Sequence, residues 1–283
     1  MTEGERGFLL LTCKLGDPYR KTLTVAQFRQ LAQRVRERKA PKEDRNMIPE
    51  DLLQLGYGQD MAMRILKLLS QKEMLAGYLA EGERRGCYPL ARNSRRYPDR
   101  LRQVLGEDAP VSLWLKGDEA LLNTPMISVV GSRALLEENR RFARTVGRLA
   151  AEQGYTLVSG DARGADTEAQ DACLQHGGRV ISVVPDALQK YQSKKNVLYI
   201  SEHGFDYDFT SSRALSRNHV IHALGSKVYV AQCGLGRGGT WNGTYTNLIC
   251  KRTPVVCFAD GSEAVARLVR LGATTADCNI RSL

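Results

Sequence analysis

Through the first eighty residues, apolar positions recur three and four apart, the spacing of one helix face. The clearest case is 25–38, where Val25, Phe28, Leu31 and Val35 form a stripe behind Thr24, a residue type that caps helix starts. The stretch 39–45 is charged, contains Pro41 and reads as a loop. A further helix pair is expected on either side of Gly56-Tyr57-Gly58. The segment 113–118 reads as a short strand ending in a turn. From about Met126 the pattern changes to solid apolar runs at 127–130, 156–159, 180–184, 197–200, 227–231 and 254–258. Amphipathic segments at 138–152, 165–176, 213–224 and 263–271 separate most of them. Solid runs alternating with amphipathic helices predict parallel strands buried on both faces.

The expected class is therefore α/β: a Rossmann-like, doubly wound, mostly parallel sheet, preceded by a small all-helical domain of SAM-like, helix-hairpin-helix type. The expected division is a helical domain at 1–80, a connecting extension at 81–122 packed on the sheet domain, and the sheet domain itself at 123–283. A length of 283 residues suits this arrangement. The net charge of +10 favours a polyanionic partner. Seven cysteines are an odd number with no CxxC pair, which fits reduced thiols in a cytoplasm better than a disulfide frame or a zinc site. His219 and His222 are three apart, but no Cys, Asp or Glu completes a ligand set, so no metal is expected. The chain shows no charged leader before an apolar stretch and no run of 18 apolar residues, so a soluble cytoplasmic protein without membrane association is expected.

Candidate chemistry concentrates where apolar runs end in small residues. Val130 leads into Gly131-Ser132-Arg133, and the next run ends in Ser159-Gly160, followed by Arg163-Gly164-Ala165-Asp166. The run at 227–231 leads into Gly234-Leu235-Gly236-Arg237-Gly238-Gly239-Thr240. Such turns lie at the carboxyl ends of parallel strands, where free amides and helix N-termini bind anions and where open α/β sheets hold ligands. Gly-x-Gly-x-x-Gly is missing after the first run, which argues against a dinucleotide cofactor; no cofactor is expected. Lys194-Lys195-Asn196 and Arg217-Asn218 add further cations and amides.

These blocks, in this order, resemble the DNA-processing protein A (DprA, also called Smf) family. The resemblance begins at Tyr97-Pro98 with Leu101 and runs through 113–118 and Val130-Gly131-Ser132-Arg133. It continues through 159–166, Ser201-Glu202 and Arg217-Asn218 to Gly238-Gly239-Thr240, covering roughly residues 90–260. It implies a protein without an established catalytic reaction that binds single-stranded DNA and helps load a RecA-type recombinase during DNA uptake and recombination, as a homodimer. The implied strand-binding residues are Gly131, Ser132, Arg133, Ser159, Gly160, Arg163, Gly164, Asp166, Lys194, Lys195, Asn196, Arg217, Asn218, Gly238, Gly239 and Thr240, with Tyr191 or Trp241 available for base stacking.

The sequence departs from the family pattern at Asp161, Ala165, Gln170, Tyr191-Gln192, His219 and Gly238-Gly239-Thr240. Asp161 places a carboxylate beside the expected phosphate site, where it repels an anion or pairs with Arg163 or Arg217. The chain ends at Leu283, so the winged-helix tail of many relatives is not expected. The stretch 52–66 looks like a helix-hairpin-helix, whose amides can meet a DNA phosphate, although Asp60 opposes one. The competing reading is a nucleotide-ligand sensor or a phosphoribohydrolase acting on nucleoside monophosphates. Gly238-Gly239-Thr240 is weakly similar to the loop of such hydrolases, yet 241–248 lacks the carboxylate they need.

Overall fold

The computed structural model describes residues 1–38 and 47–283. The expected loop at 39–45 lies outside the described residues. The first helices are α1 (Glu3–Thr12) and α2 (Val25–Glu37). Each opens with a capping box, Thr2 exchanging hydrogen bonds with Glu5 and Thr24 with Gln27, which closes orphan amides at the first turn. Next come α3 (Pro49–Gln54), with proline in its first turn, then α4 (Gln59–Ser70) and α5 (Lys72–Arg84). Leu11, Leu23, Leu31, Leu52, Ala62, Ile65 and Leu68 interlock as their core.

The chain then enters a nine-stranded sheet. Its first members are β1 (Tyr88–Ala91), α6 (Asp99–Leu105), β2 (Ser112–Gly117), β3 (Met126–Val130) and α7 (Glu137–Glu152). They are followed by β4 (Thr156–Ser159), α8 (Ala165–Gln175), β5 (Arg179–Val183), β6 (Val197–Ser201) and α9 (Ser211–Leu224). The remainder is β7 (Val228–Val230), α10 (Gly238–Ile249), β8 (Val255–Phe258), α11 (Glu263–Arg270) and β9 (Thr274–Ala276). The spatial order is β1-β2-β6-β5-β4-β3-β7-β8-β9. Strands β3 to β9 pair in parallel, and β1 and β2 add an antiparallel edge beside β6. The sheet is the doubly wound, mostly parallel one expected.

Helices cover both faces because successive strand residues point to opposite sides. Ile127, Val129 and Leu157 pack with Phe142, Val146 and Ala169 of α7 and α8. Val130, Val158 and Ile181 pack with Val220, Ile221 and Leu224 of α9, and with Trp241 and Leu268 of α10 and α11. The chain runs outward from β3 to β6 and then returns to place β7 on the other side of β3. A crevice opens at such a switch point, outside the strand ends.

Two features of the middle region differ from the sequence reading. The stretch 81–122 contributes strands β1 and β2 to the sheet itself, and the expected boundary at 80/81 falls inside α5. Tyr78 on α5 packs edge-on against Trp114 of β2, with ring centroids 5.1 Å apart, and lies 4.8 Å from Phe205. Strand β9 has no apolar run to announce it; it is an exposed edge strand, held by backbone pairing to β8.

Candidate functional site

The turns after β3 and β7 and the inner end of α9 enclose a pocket of about 480 Å³. Its lining includes Gly131, Ser132, Arg133, Asp166, Arg217, Asn218, Gly238, Gly239 and Thr240, nine residues selected from sequence. Gly131 is required by close approach: an added Cβ would lie 2.4 Å from the Ala165 Cβ at the start of α8. Thr240 Oγ1 donates to the Gly131 carbonyl at 2.9 Å, and Asn218 Nδ2 donates to the Gly239 carbonyl at 3.1 Å. These two bonds tie the glycine loop to β3 and α9. The first amides of α10, at Gly238, Gly239 and Thr240, lie at a helix N-terminus, where intrahelical partners are missing and the dipole is positive.

The turn after β4 is built differently. Asp166, on the first turn of α8, is buried and accepts from the amide of Ala162 at 3.3 Å, with the Gly160 amide and the Ser159 hydroxyl beside it favouring its charged form. Ser159 Oγ donates to the Val129 carbonyl at 3.0 Å. Arg217 reaches across this turn from α9. A Cβ on Gly160 would sit 1.3 Å from the Arg217 Nη1, so only glycine leaves room for the guanidinium. The chain's own carboxylate thus occupies the amide cradle expected to receive an external anion. The Ser132 amide is likewise engaged, donating to the Gln232 carbonyl at 2.9 Å. The Ser132 amide, expected to face a ligand, is thus engaged within the chain.

Arg217 is the least satisfied cation of the site. It is 8% exposed, and its Nη1 lies 3.8 Å from Asp166 Oδ2, too far for a hydrogen bond. No other described residue accepts a hydrogen bond from its guanidinium, and its Nε is buried without a partner. Burial pushes the Asp166 carboxyl above its ordinary range and the Arg217 guanidinium below its own. Both directions say that desolvation outweighs the mutual attraction. An anion entering the pocket would relieve that deficit on the arginine. Arg133 and Arg237 stand exposed at the rim.

The other selected residues lie apart from the pocket lining. Arg163 is exposed outside it. Gly164 precedes α8, with φ +95° and its Cα beside the carbonyls of Ser132 and Arg133. Lys194 and Lys195 are exposed and Asn196 half-buried, on the loop before β6. Asp161 faces Lys194 and Arg217; burial raises its carboxyl and these two cations pull it back. Of the two cations expected as its partners, only Arg217 is there. Trp241 is 8% exposed and stacked on Tyr245, and Tyr191 packs on Tyr199 with centroids 4.9 Å apart, so neither is the open platform expected. The exposed aromatic ring at the rim is instead Phe209, 48% exposed. Sequence reasoning missed Phe209, Arg237, Ser211, Leu215 and His222. Arg237 had a signal, being flanked by the glycines of the loop. Phe209 had none, since the 202–210 segment follows no period.

Among the described residues, no three His, Cys, Asp or Glu side chains gather in a metal-binding group, and no helix is long and apolar enough to cross a membrane. Residues 89–278 match the profile of the family described as DNA recombination-mediator protein A. The DNA processing protein DprA of Streptococcus pneumoniae (strain ATCC BAA-255 / R6) is 34% identical over 152 residues, which are 50% of this chain and 53% of that protein. Protein Smf of Escherichia coli (strain K12) is 27% identical over 198 residues, 66% of this chain and 52% of that protein. The chain spans about half the length of the curated relatives it matches. The X-ray structure of DNA processing protein A from Streptococcus pneumoniae has the same fold: TM-score 0.72 at 23% identity, covering 98% of this chain and 96% of that one. A structure of DNA processing protein A from Helicobacter pylori, described for its single-stranded DNA binding mode, matches at TM-score 0.56 and 23% identity, over 67% and 90% of the two chains.

Proposed function

The chain belongs to the DNA recombination-mediator protein A family, and on that premise we propose that it binds single-stranded DNA at the pocket between the ends of β3 and β7. The observation that carries this reading is Arg217: a buried guanidinium that hydrogen-bonds to no described residue, lining a pocket that also holds Arg133, Arg237 and the amide end of α10. Charge-assisted bonds to a phosphate are the strong kind, and a guanidinium makes two in parallel. The +10 charge extends the attraction beyond the pocket, and the exposed Lys194, Lys195 and Arg163 offer outlying contacts to the same strand. Phe209 stands where a base stacks.

The reading is a binding protein rather than an enzyme. Asp166, the carboxylate that lines the pocket, is held by its own turn, and 241–248 supplies no carboxylate after the glycine loop. Family membership supports a RecA-type recombinase as the partner that receives the strand, a homodimer as the working assembly, and the cytoplasm as the setting. The pocket volume keeps a mononucleotide sensor as the second reading, since 480 Å³ falls in the range of small-ligand sites.

One titration separates the two. The full chain is titrated with labelled oligo-dT and with nucleoside monophosphates across a range of salt, as wild type and Arg133→Ala. Strand binding predicts that log affinity for oligo-dT falls with log salt by about 0.7 per phosphate neutralised, and that Arg133→Ala weakens it several-fold. Tight monophosphate binding that ignores salt, with oligo-dT no better, would replace the strand by a nucleotide ligand.

A further inference from the structure

The turn after β4 carries a carboxylate for which strand binding alone has no use. Asp161 is half-buried at φ +56°, in the left-handed region that favours glycine. Its chain neighbours border the pocket: Gly160 lies against the Arg217 guanidinium, and Ala162 is part of the lining. Gln170 of α8 is buried and clamps this residue. In the amide orientation that satisfies both of its ends, its nitrogen donates to Asp161 Oδ1 at 3.1 Å and its oxygen accepts from the Asp161 amide at 3.3 Å. Ser182 of β5 lies 3.2 Å from the same side-chain amide and anchors it. A left-handed backbone outside glycine persists only where its surroundings over-determine it, and Gln170 does so here.

The clamped carboxylate faces two of the cations offered to the strand. Burial raises the Asp161 carboxyl; Lys194 and Arg217 pull it back toward its charged form, against Asp171 on α8. Asp166, the other carboxylate beside Arg217, is buried and bonded to the Ala162 amide, so it serves the turn. An anion that settles on Arg217 therefore meets the charge of Asp161, and the repulsion grows in proportion to the charge the anion brings. A phosphodiester link inside a strand carries one negative charge, whereas a terminal phosphate monoester carries about two near neutral pH. Arg133, Arg217, Arg237 and the α10 amides alone would favour the doubly charged group. A fixed carboxylate among them tilts the choice the other way.

We propose that Asp161 is an internal counter-anion of the strand site. It shares Lys194 and Arg217 with the incoming backbone, and so favours the singly charged links inside a strand over doubly charged terminal phosphates and free mononucleotides. This rests on the single-strand reading above. It makes Asp161 a residue that lowers affinity in exchange for selectivity, with Gln170 as its positioning residue.

The test uses the full chain with labelled oligo-dT at low salt, and two unlabelled competitors: the dinucleotide dTpdT, with a single diester, and thymidine 5′-monophosphate. Wild type is compared with Asp161→Asn, which removes the charge and tolerates a left-handed backbone. Oligo-dT affinity is expected to rise by about threefold to tenfold. Both competitors are expected to gain, the monophosphate more: a gain of about threefold for dTpdT goes with about ninefold for the monophosphate, because the two repulsion energies stand as one to two. Should Asp161→Asn not fold, Asp161→Gly, which suits the same backbone, decides. Unchanged or weaker oligo-dT binding in a folded variant overturns the proposal while strand binding stands. Equal gains for the two competitors, or competition by neither in any variant, overturn it as well. Absence of oligo-dT binding by the wild type at low salt overturns the single-strand reading, and this proposal with it.

Discussion

The helical end and the strand-end pocket are both rich in arginine, and they use it in opposite ways. In the helices, Arg20 donates to the carbonyls of Cys13 and Leu10 and to Gln71. Arg64 holds the carbonyls of Lys21 and Thr22, and Arg34 lies over the Tyr57 ring and donates to the carbonyls of Leu55 and Gly56. Two hairpin amides are engaged too, Gly56 donating to the carbonyl of Leu53 and Tyr57 to that of Leu52. These guanidinium groups act as clamps between chain segments. In the pocket, Arg217 is as buried as Arg20 yet hydrogen-bonded to no described residue, and the α10 amides stand open. Net charge therefore does not locate a binding site. Unused hydrogen-bonding capacity does.

The sharpest way to break this contrast is to delete one arginine from each region. Arg217→Ala should lower oligo-dT affinity by about 10- to 100-fold, the equivalent of a charge-assisted bond. Arg34→Ala should leave affinity within about twofold and lower the melting temperature, because it frees two carbonyls at the hairpin. The opposite pattern, with Arg34→Ala abolishing binding in a folded protein, would move the site to the helices.

A second difference is that the sheet half encloses a carboxylate suited to sensing pH. Glu202, just after β6, has Oε1 buried without a partner among the described residues, and Ser216 donates to Oε2 at 2.9 Å. Burial raises its carboxyl to about 7, against the pull of Ser216, Arg213 and Arg217. A raised carboxyl binds its proton more tightly in the folded than in the unfolded chain. Its contribution is present below the unfolded value of 4.5 and is lost as pH rises toward 7. Glu202→Gln should therefore gain stability relative to wild type across that window, by up to about 1.4 kcal/mol per unit of pKa separation, and gain no more above it. Thermal melts of both proteins from pH 4.5 to 8 read this directly. A difference that stays flat with pH would mean that Glu202 is charged throughout.

The smallest effect is expected at the hairpin. Gly58 precedes α4 with φ −71°, and nothing lies within 4 Å of a Cβ added there. Aspartate is a good residue at that helix-capping position, so Gly58→Asp should fold as well as wild type. With the Gly56 and Tyr57 amides engaged and Asp60 already opposing an anion in the first turn of α4, oligo-dT affinity should stay within about twofold at low salt. A loss of tenfold would show that a phosphate sits at this hairpin after all.

Much of this was legible along the chain. The elements from β3 to α11 follow from solid apolar runs and amphipathic segments, because burial on both faces leaves a strand no polar side to show. Gly131-Ser132-Arg133 and Gly238-Gly239-Thr240 were readable as ligand turns, since glycine after a buried strand marks a sharp strand-to-helix turn. The turn at Ser159-Gly160 looked equivalent and is not. Its Ala162 amide is taken by Asp166, six residues downstream of Gly160, and its space by Arg217, more than fifty residues away.

Local pattern, then, determined which segments become strands and helices, which strand ends carry small residues, and that the chain bears the charge to meet a polyanion. Tertiary structure decided which of those groups remain free. Whether an amide or a guanidinium is open depends on every neighbour that folding brings within about 3 Å, and hydrogen-bond partners are settled by that packing rather than by sequence spacing. The same composition therefore yields clamps in the helices and, at Arg217, a pocket with bonds still to be made.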